Sequence, residues 1–381
     1  MNLTTTLTNA RLMLAGEVVV GTIRIENGRI ADVATGATGI TGAENLDGDY
    51  LMPGLIELHT DNLEKHVQPR PKVHWPTSSA LLAHDAQVVA AGITTVLDAI
   101  AVGGTLAGDI REHLVRESSV AIHAFRADGL LRADHHLHMR CEVAHPEVLR
   151  LFEPFKDDPL VRLVSLMDHT PGQRQFVDVE KLRIYYKGKH GLDEEAFQAM
   201  IVDRKQAQAL YADKHRRTLA EMARAAGHVL ASHDDATEDH IEEAVQLGLT
   251  ISEFPTTIDA AKAAHTHGMG TIMGGPNVVR GGSHSGNVSA CELAEAGVLD
   301  ALSSDYVPSS LLHGALLLHD QHGLPLPDAI ATVTRNPADM VGMTDRGRIE
   351  IGTRADLIRV KRLEDGVPVI RRVWREGIRV L

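Results

Sequence analysis

The stretch Pro53-Gly54-Leu55-Ile56-Glu57-Leu58-His59-Thr60-Asp61 decides how this chain is read. Residues 55–59 are a short apolar run with turn formers before them and polar residues after, the pattern of a buried strand. Side chains alternate with period two along a strand, so His59 and Asp61 are expected on the same face. Imidazole and carboxylate are ligand types that Zn, Mn and Fe accept, and such an ion needs at least about three of them. A single His-x-Asp is not a site, and its partners must come from other strand ends.

Following the chain gives seven more candidate strands, at residues 94–98, 120–125, 136–142, 163–168, 229–233, 250–253 and 301–305. They alternate with helical patterns such as residues 80–91, the order expected of repeated βα units around a parallel sheet. Eight such strands fit an α/β chain folded as a (β/α)8 barrel, where the C-terminal strand ends converge on the active site. By this count Glu142 ends the fourth strand, His169 follows the fifth, His233 ends the sixth and Asp305 ends the eighth. With His59 and Asp61 they make six candidate metal ligands at one rim.

The two ends of the chain read differently. Residues 18–20, 22–25 and 30–33 form short β-runs around Asn27-Gly28, a strong hairpin signal, and residues 355–360 and 371–374 repeat the pattern around Gly352 and Asp365-Gly366. A small β-sandwich module built from residues 1–52 and 347–381 is expected, with residues 53–346 as the barrel.

Composition narrows the partners. The 381 residues carry 38 Lys and Arg against 51 Asp and Glu, a net charge of −13 that repels phosphate backbones and anionic lipid. Neither nucleic acid nor a membrane is expected. No apolar run approaches the roughly 18 residues that span a bilayer, and Gly16-Glu17 interrupts the N-terminal run, so a cytoplasmic protein is expected. Cys141 and Cys291 alone give no disulfide framework. Histidine is abundant instead, 22 residues against six Phe, five Tyr and two Trp. Of these, His135, His136 and His138 are read as core or orienting residues, and Cys141 as packing.

His-x-(His/Asp) after the first strand, a bridging carboxylate after the fourth, His after the fifth and sixth and Asp after the eighth together resemble the amidohydrolase superfamily. Its members join a (β/α)8 barrel to a sheet module from both termini. The strings LMPGLIELHTDNLEKH (51–66), PRPKV (69–73), SLMDHTPGQRQF (165–176), SHDDAT (232–237), EFPTT (253–257), PNVVRGGSHSGN (276–287) and SSDY (303–306) are similar to one branch of it. That branch hydrolyses ribose 1-methylphosphonate 5-triphosphate in phosphonate breakdown. The resemblance implies one or two divalent ions (Zn, Mn or Fe), a water activated by metal, and Asp305 as both ligand and proton acceptor. A homo-oligomer and transient association with other proteins of the carbon–phosphorus lyase pathway are compatible with the resemblance, and the sequence decides neither. Asp61 stands where most members carry a second His, and Glu142 where many carry a carbamylated Lys. The added negative charge favours harder ions such as Mn or Fe(II).

A triphosphate needs cationic and N–H donors. Arg280, Ser283 and His284 lie in a Gly- and Ser-rich stretch that offers a guanidinium, hydroxyls and approachable backbone. Because the whole chain is acidic, local reversal of sign is required, and Arg70, Lys72, Arg174, Lys187 and Lys189 are the candidates. Glu64, His66 and Asp234 flank the ligands and are candidates for orienting them. Two other readings compete: hydrolysis of a carboxamide or cyclic amide, which the same ligands would serve, and a barrel that acts only as a scaffold.

Overall fold

The computed structural model describes residues 4–70, 73–104, 111–176, 182–183, 193–283 and 286–381. The chain begins with β1 (Thr4–Met13), β2 (Val18–Glu26), β3 (Arg29–Thr35), β4 (Glu44–Asn45) and β5 (Tyr50–Pro53). Eight strands follow with at least one helix between each consecutive pair: β6 (Leu55–Thr60), β7 (Ile93–Val102), β8 (Asp134–Glu142), β9 (Val161–Met167), β10 (Val229–His233), β11 (Ile251–Glu253), β12 (Gly270–Gly274) and β13 (Ala301–Ser303). The chain closes with β14 (Leu357–Arg362), β15 (Pro368–Arg375) and β16 (Ile378–Arg379).

The strands β6 to β13 pair in sequence order, every pair parallel. Parallel neighbours require crossovers, and helices such as Thr77–Ala90, Arg111–Ala127, Glu194–Ala225 and Ile258–Thr266 supply them. The seam between the last strand and the first forms just beyond β13. There Asp305 N donates to His59 O at 3.1 Å and Asp61 N donates to Asp305 O at 3.1 Å. Closure of the barrel is therefore what sets Asp305 beside His59 and Asp61.

Inside the barrel Leu163, Ala231, Ile251, Ile272 and Ala301 form an apolar layer with Ile56, Leu58 and Leu97, packed against Ala338, Val341 and Met343. One period-two step further along their strands stand Ser165, His233, Glu253 and Ser303. The interior thus changes from apolar to polar towards the C-terminal strand ends. At the entrance to β6, Gly54 passes so close to Thr94 that a Cβ would collide with it.

Two strand assignments from sequence are corrected. Residues 120–125 lie in the helix Arg111–Ala127, where Leu114, Val115, Ser118, Ser119 and Ile122 are buried and Val120 is 64% exposed. That spacing is helical, and the β-branched residues within it misled the reading. The strand β12 was missed because only Thr271, Ile272 and Met273 stand between its terminal glycines. Glu142 consequently ends the third barrel strand rather than the fourth, His169 follows the fourth, and His233 ends the fifth. Asp305 still follows the eighth.

The remaining strands form one sheet in the order β16-β15-β14-β5-β1-β2-β3, with β4 on β1. Both chain ends enter it because β14 pairs antiparallel with β5. Asn27 and Gly28, at φ 50° and 79°, make the tight turn between β2 and β3. Leu7, Leu12, Ile23, Ile25, Leu51, Leu357 and Trp374 are its core.

Candidate metal centre at the barrel mouth

Three imidazoles meet at the mouth, each held at Nδ1 by a carboxylate. His59, at the end of β6, has Nδ1 2.7 Å from Glu253 Oε1. His169, just beyond β9, has Nδ1 2.6 Å from Glu142 Oε2 and donates its backbone N–H to Glu142 Oε1 at 3.1 Å. His233, ending β10, has Nδ1 2.8 Å from Asp234 Oδ2. A carboxylate on Nδ1 fixes the ring and leaves Nε2 to coordinate, the arrangement in which metal-binding histidines are usually found. His233 Nε2 is buried with no hydrogen-bond partner, and the nearest carboxylate to it, Glu253 Oε2, is 3.8 Å away. Ring centroids of His233 lie 5.9 Å from His59 and 5.6 Å from His169. An orphaned buried nitrogen among carboxylate-buttressed imidazoles fits a divalent metal ion.

The local backbone explains this convergence. Asp234, Phe254 and Asp305 follow the ends of β10, β11 and β13 with φ of 55°, 54° and 51°. Such left-handed residues are uncommon outside glycine and are rarest for bulky side chains like Phe254. They turn the chain sharply at the rim. Phe254 then lies against both His59 and His233, with ring centroids at 5.0 and 5.4 Å.

Burial and charge set the protonation states. Burial, then the positive charge of Arg140, holds the His59 imidazole well below its ordinary value. Burial also works against the imidazolium of His233, but the Asp234 carboxylate outweighs it and the value is raised. Burial and then the Asp61 carboxylate push Asp305 up to about 7. Glu57, wholly buried, accepts from His59 N at 2.7 Å and Ser304 N at 2.6 Å, tying the first strand to the last. Burial raises its carboxyl to about 8.

An open cavity gives access to these groups and is lined by His59, His169, His233 and Asp305 together with Arg280 and Ser283. Asp61 lies just past β6 at the start of the helix Asn62–Val67. Both Glu142 oxygens face His169, so in this structure it orients that ring. Arg174 was expected to meet substrate, but it is buried and binds the His233 carbonyl at 3.0 Å and Asp235 Oδ1 at 2.9 Å. It braces the end of β10. Arg70 is exposed and does not line the cavity. Lys72, Lys187, Lys189 and His284 lie outside the described residues.

Sequence reasoning missed Glu253 and Arg140. Glu253 ends β11 as Glu142 ends β8, and the same strand-end logic applied to both would have found it. It also accepts from Ser165 Oγ at 2.7 Å, whose oxygen lies 2.5 Å from His138 Nε2, so the expected orienting role of His138 has a physical path. Asp234 occupies the orienting place expected of it.

Comparison with known proteins agrees with this geometry. Residues 190–380 match the amidohydrolase family. Over 374 residues, 98% of this chain and 99% of the relative, the sequence is 48% identical to the alpha-D-ribose 1-methylphosphonate 5-triphosphate diphosphatase of Escherichia coli (strain K12). Among solved structures, an N-acetylglucosamine-6-phosphate deacetylase from Pasteurella multocida has a TM-score of 0.65 at 12% identity over 99% of both chains. A 5-methylcytosine deaminase from Klebsiella pneumoniae has a TM-score of 0.66 at 16% identity, covering 99% of this chain and 98% of that one. At those identities the likeness is one of fold. No helix among the described residues is long and apolar enough to cross a membrane.

Proposed function

This chain belongs to the amidohydrolase family, and we propose that it hydrolyses ribose 1-methylphosphonate 5-triphosphate to the 5-phosphate and pyrophosphate. The observation that carries this reading is the 48% identity over 98% of the chain to a diphosphatase of that name. The buttressed imidazoles at the mouth support it independently of any alignment. Under the same reading the enzyme works in the cytoplasm on a small phosphorylated ribose phosphonate.

His59, Asp61, His169, His233 and Asp305 are the residues that would hold one or two divalent ions, with Glu253, Glu142 and Asp234 aiming the three rings. Bound there, such an ion supplies Lewis-acid polarisation and acidifies a water molecule. Asp305 takes the proton of the attacking water on a carboxylate oxygen, lining the same cavity as the three imidazoles. The water oxygen joins phosphorus, the anhydride bond between the first and second phosphoryl groups breaks, and pyrophosphate leaves. Arg280 and Ser283 on the cavity wall neutralise and orient the phosphoryl oxygens.

The test is to supply ribose 1-methylphosphonate 5-triphosphate to the purified metal-loaded enzyme and measure pyrophosphate. Stoichiometric release is expected. Turnover of cyclic amides with no pyrophosphate formed would reject the reading.

A further inference from the structure

Arg140 breaks a rule that other buried guanidiniums of this chain obey. Arg174 pairs with Asp235 at 2.9 Å, Arg216 with Glu243 at 3.0 Å, Arg346 with Asp134 at 2.7 Å and Arg359 with Asp49 at 2.6 Å. Arg140 is half-buried, and among the described residues it forms neither a hydrogen bond nor an ion pair. Its Nε is fully enclosed without a partner. A guanidinium cannot shed its charge, so its environment has to offer an anion or bear the desolvation cost.

Its position says what kind of anion. Arg140 lies on β8, one period-two step from His138 and one from Glu142, and lines the cavity together with His59, His169, His233 and Asp305. Its charge is felt at His59, His138, His233 and Asp305. The Asp305 carboxylate acts on it without forming an ion pair, so the guanidinium stays available to an entering anion. Arg280 lines the same cavity but is exposed, at the end of the short helix Gly275–Arg280. The two guanidiniums therefore mark an inner and an outer station for one elongated polyanion.

We propose that Arg140 is a substrate-binding residue, its guanidinium receiving a phosphoryl oxygen at the reacting end of the triphosphate while Arg280 holds the outer portion. This rests on the triphosphate reading above and deepens it. In the free enzyme the inner station is a preformed charge that makes no ion pair among the described residues, with the Asp305 carboxylate acting on it only at longer range. Substrate entry supplies the paired anion, and the two-pronged guanidinium fixes which phosphoryl group faces the reacting centre.

The experiment compares the metal-loaded wild type with Arg140→Gln and Arg140→Lys. It measures kcat and KM for ribose 1-methylphosphonate 5-triphosphate, inhibition by inorganic pyrophosphate and separately by methylphosphonate, and metal content. For Arg140→Gln, KM and the pyrophosphate inhibition constant should rise about tenfold or more, with metal content and methylphosphonate inhibition unchanged. Arg140→Lys should recover part of the loss, since it restores the charge without the fork. Should the Gln variant fail to fold, the Lys variant carries the same comparison at smaller amplitude. Unaltered pyrophosphate inhibition, loss confined to methylphosphonate, or loss of bound metal would each overturn the assignment. A wild type that bound pyrophosphate through Arg140 yet released none from the triphosphate would leave the anion station standing and reject the proposed activity.

Discussion

Asp305 stands where barrel closure meets the proposed proton transfer. Its backbone completes the seam to His59 and Asp61, while its carboxyl is pushed to about 7 by burial and then by Asp61. Replacing it with Asn keeps a coordinating oxygen but removes the proton acceptor. Turnover should fall by about 10²- to 10⁴-fold with metal content largely retained, measured by steady-state kinetics beside elemental analysis. An unchanged kcat would remove Asp305 from the proton path. Arg280→Ala should raise KM about tenfold while leaving kcat nearly intact; a pure kcat defect would contradict an anion-holding role. Much at this scale was legible: His59, His169, His233 and Asp305 were expected from strand-end position and all line one cavity. Arg174 was misread because sequence shows its charge but not the Asp235 carboxylate that consumes it.

Between the helix Thr77–Ala90 and the outer faces of β7 and β8 lies a buried polar chain. His84 Nε2 is 2.7 Å from Asp98 Oδ1, Asp98 Oδ2 is 2.7 Å from His135 Nδ1, and His135 Nε2 is 3.3 Å from Asp85 Oδ1. Asn62, next to Asp61, joins it through His84 Nδ1 at 3.0 Å. Burial disfavours a charged His135, but the Asp98 and Asp85 carboxylates prevail and raise it to about 9. Because the folded value exceeds the unfolded one of 6.5, the stabilisation is fully present below pH 6.5 and is lost as pH rises through about 9. Urea unfolding should show His135→Gln less stable than wild type by about 3–5 kcal/mol at low pH, with the gap narrowing above pH 9. An equal gap at both ends would refute the charged assignment. Elements themselves were read unevenly. Periodicity identified seven barrel strands, but β-branched residues in the helix Arg111–Ala127 imitated a strand and the brief, glycine-bounded β12 escaped notice.

At the scale of the molecule, barrel and terminal sheet are joined by charge. Asp134, at the start of β8, accepts from Arg346 at 2.7 Å and Arg354 at 3.1 Å and also pairs with Arg126. Arg375 of β15 donates to the Ala133 carbonyl at 2.9 Å, and Gly54 N donates to Asp356 O at 2.8 Å. Removing the Asp134 charge would take a shared counterion from three guanidiniums, leaving Arg346 with Asp345 and Arg354 with Asp356. Asp134→Asn should cost about 3–5 kcal/mol, seen as a lower melting temperature, and an unshifted melt would show that water compensates. That both ends share a sheet was readable from the Asn27-Gly28 hairpin and the matching C-terminal pattern. The ionic joint was not, since it unites residues more than two hundred positions apart whose charges look like ordinary surface charges in sequence.

The proposed hydrolysis depends on a divalent ion held among His59, His169 and His233. Exhaustive chelation of the purified enzyme, followed by a pyrophosphate-release assay with and without added Zn, Mn or Fe(II), tests this. Activity lost on chelation and restored by one of these ions is the expected result; undiminished pyrophosphate release from metal-free protein would contradict it.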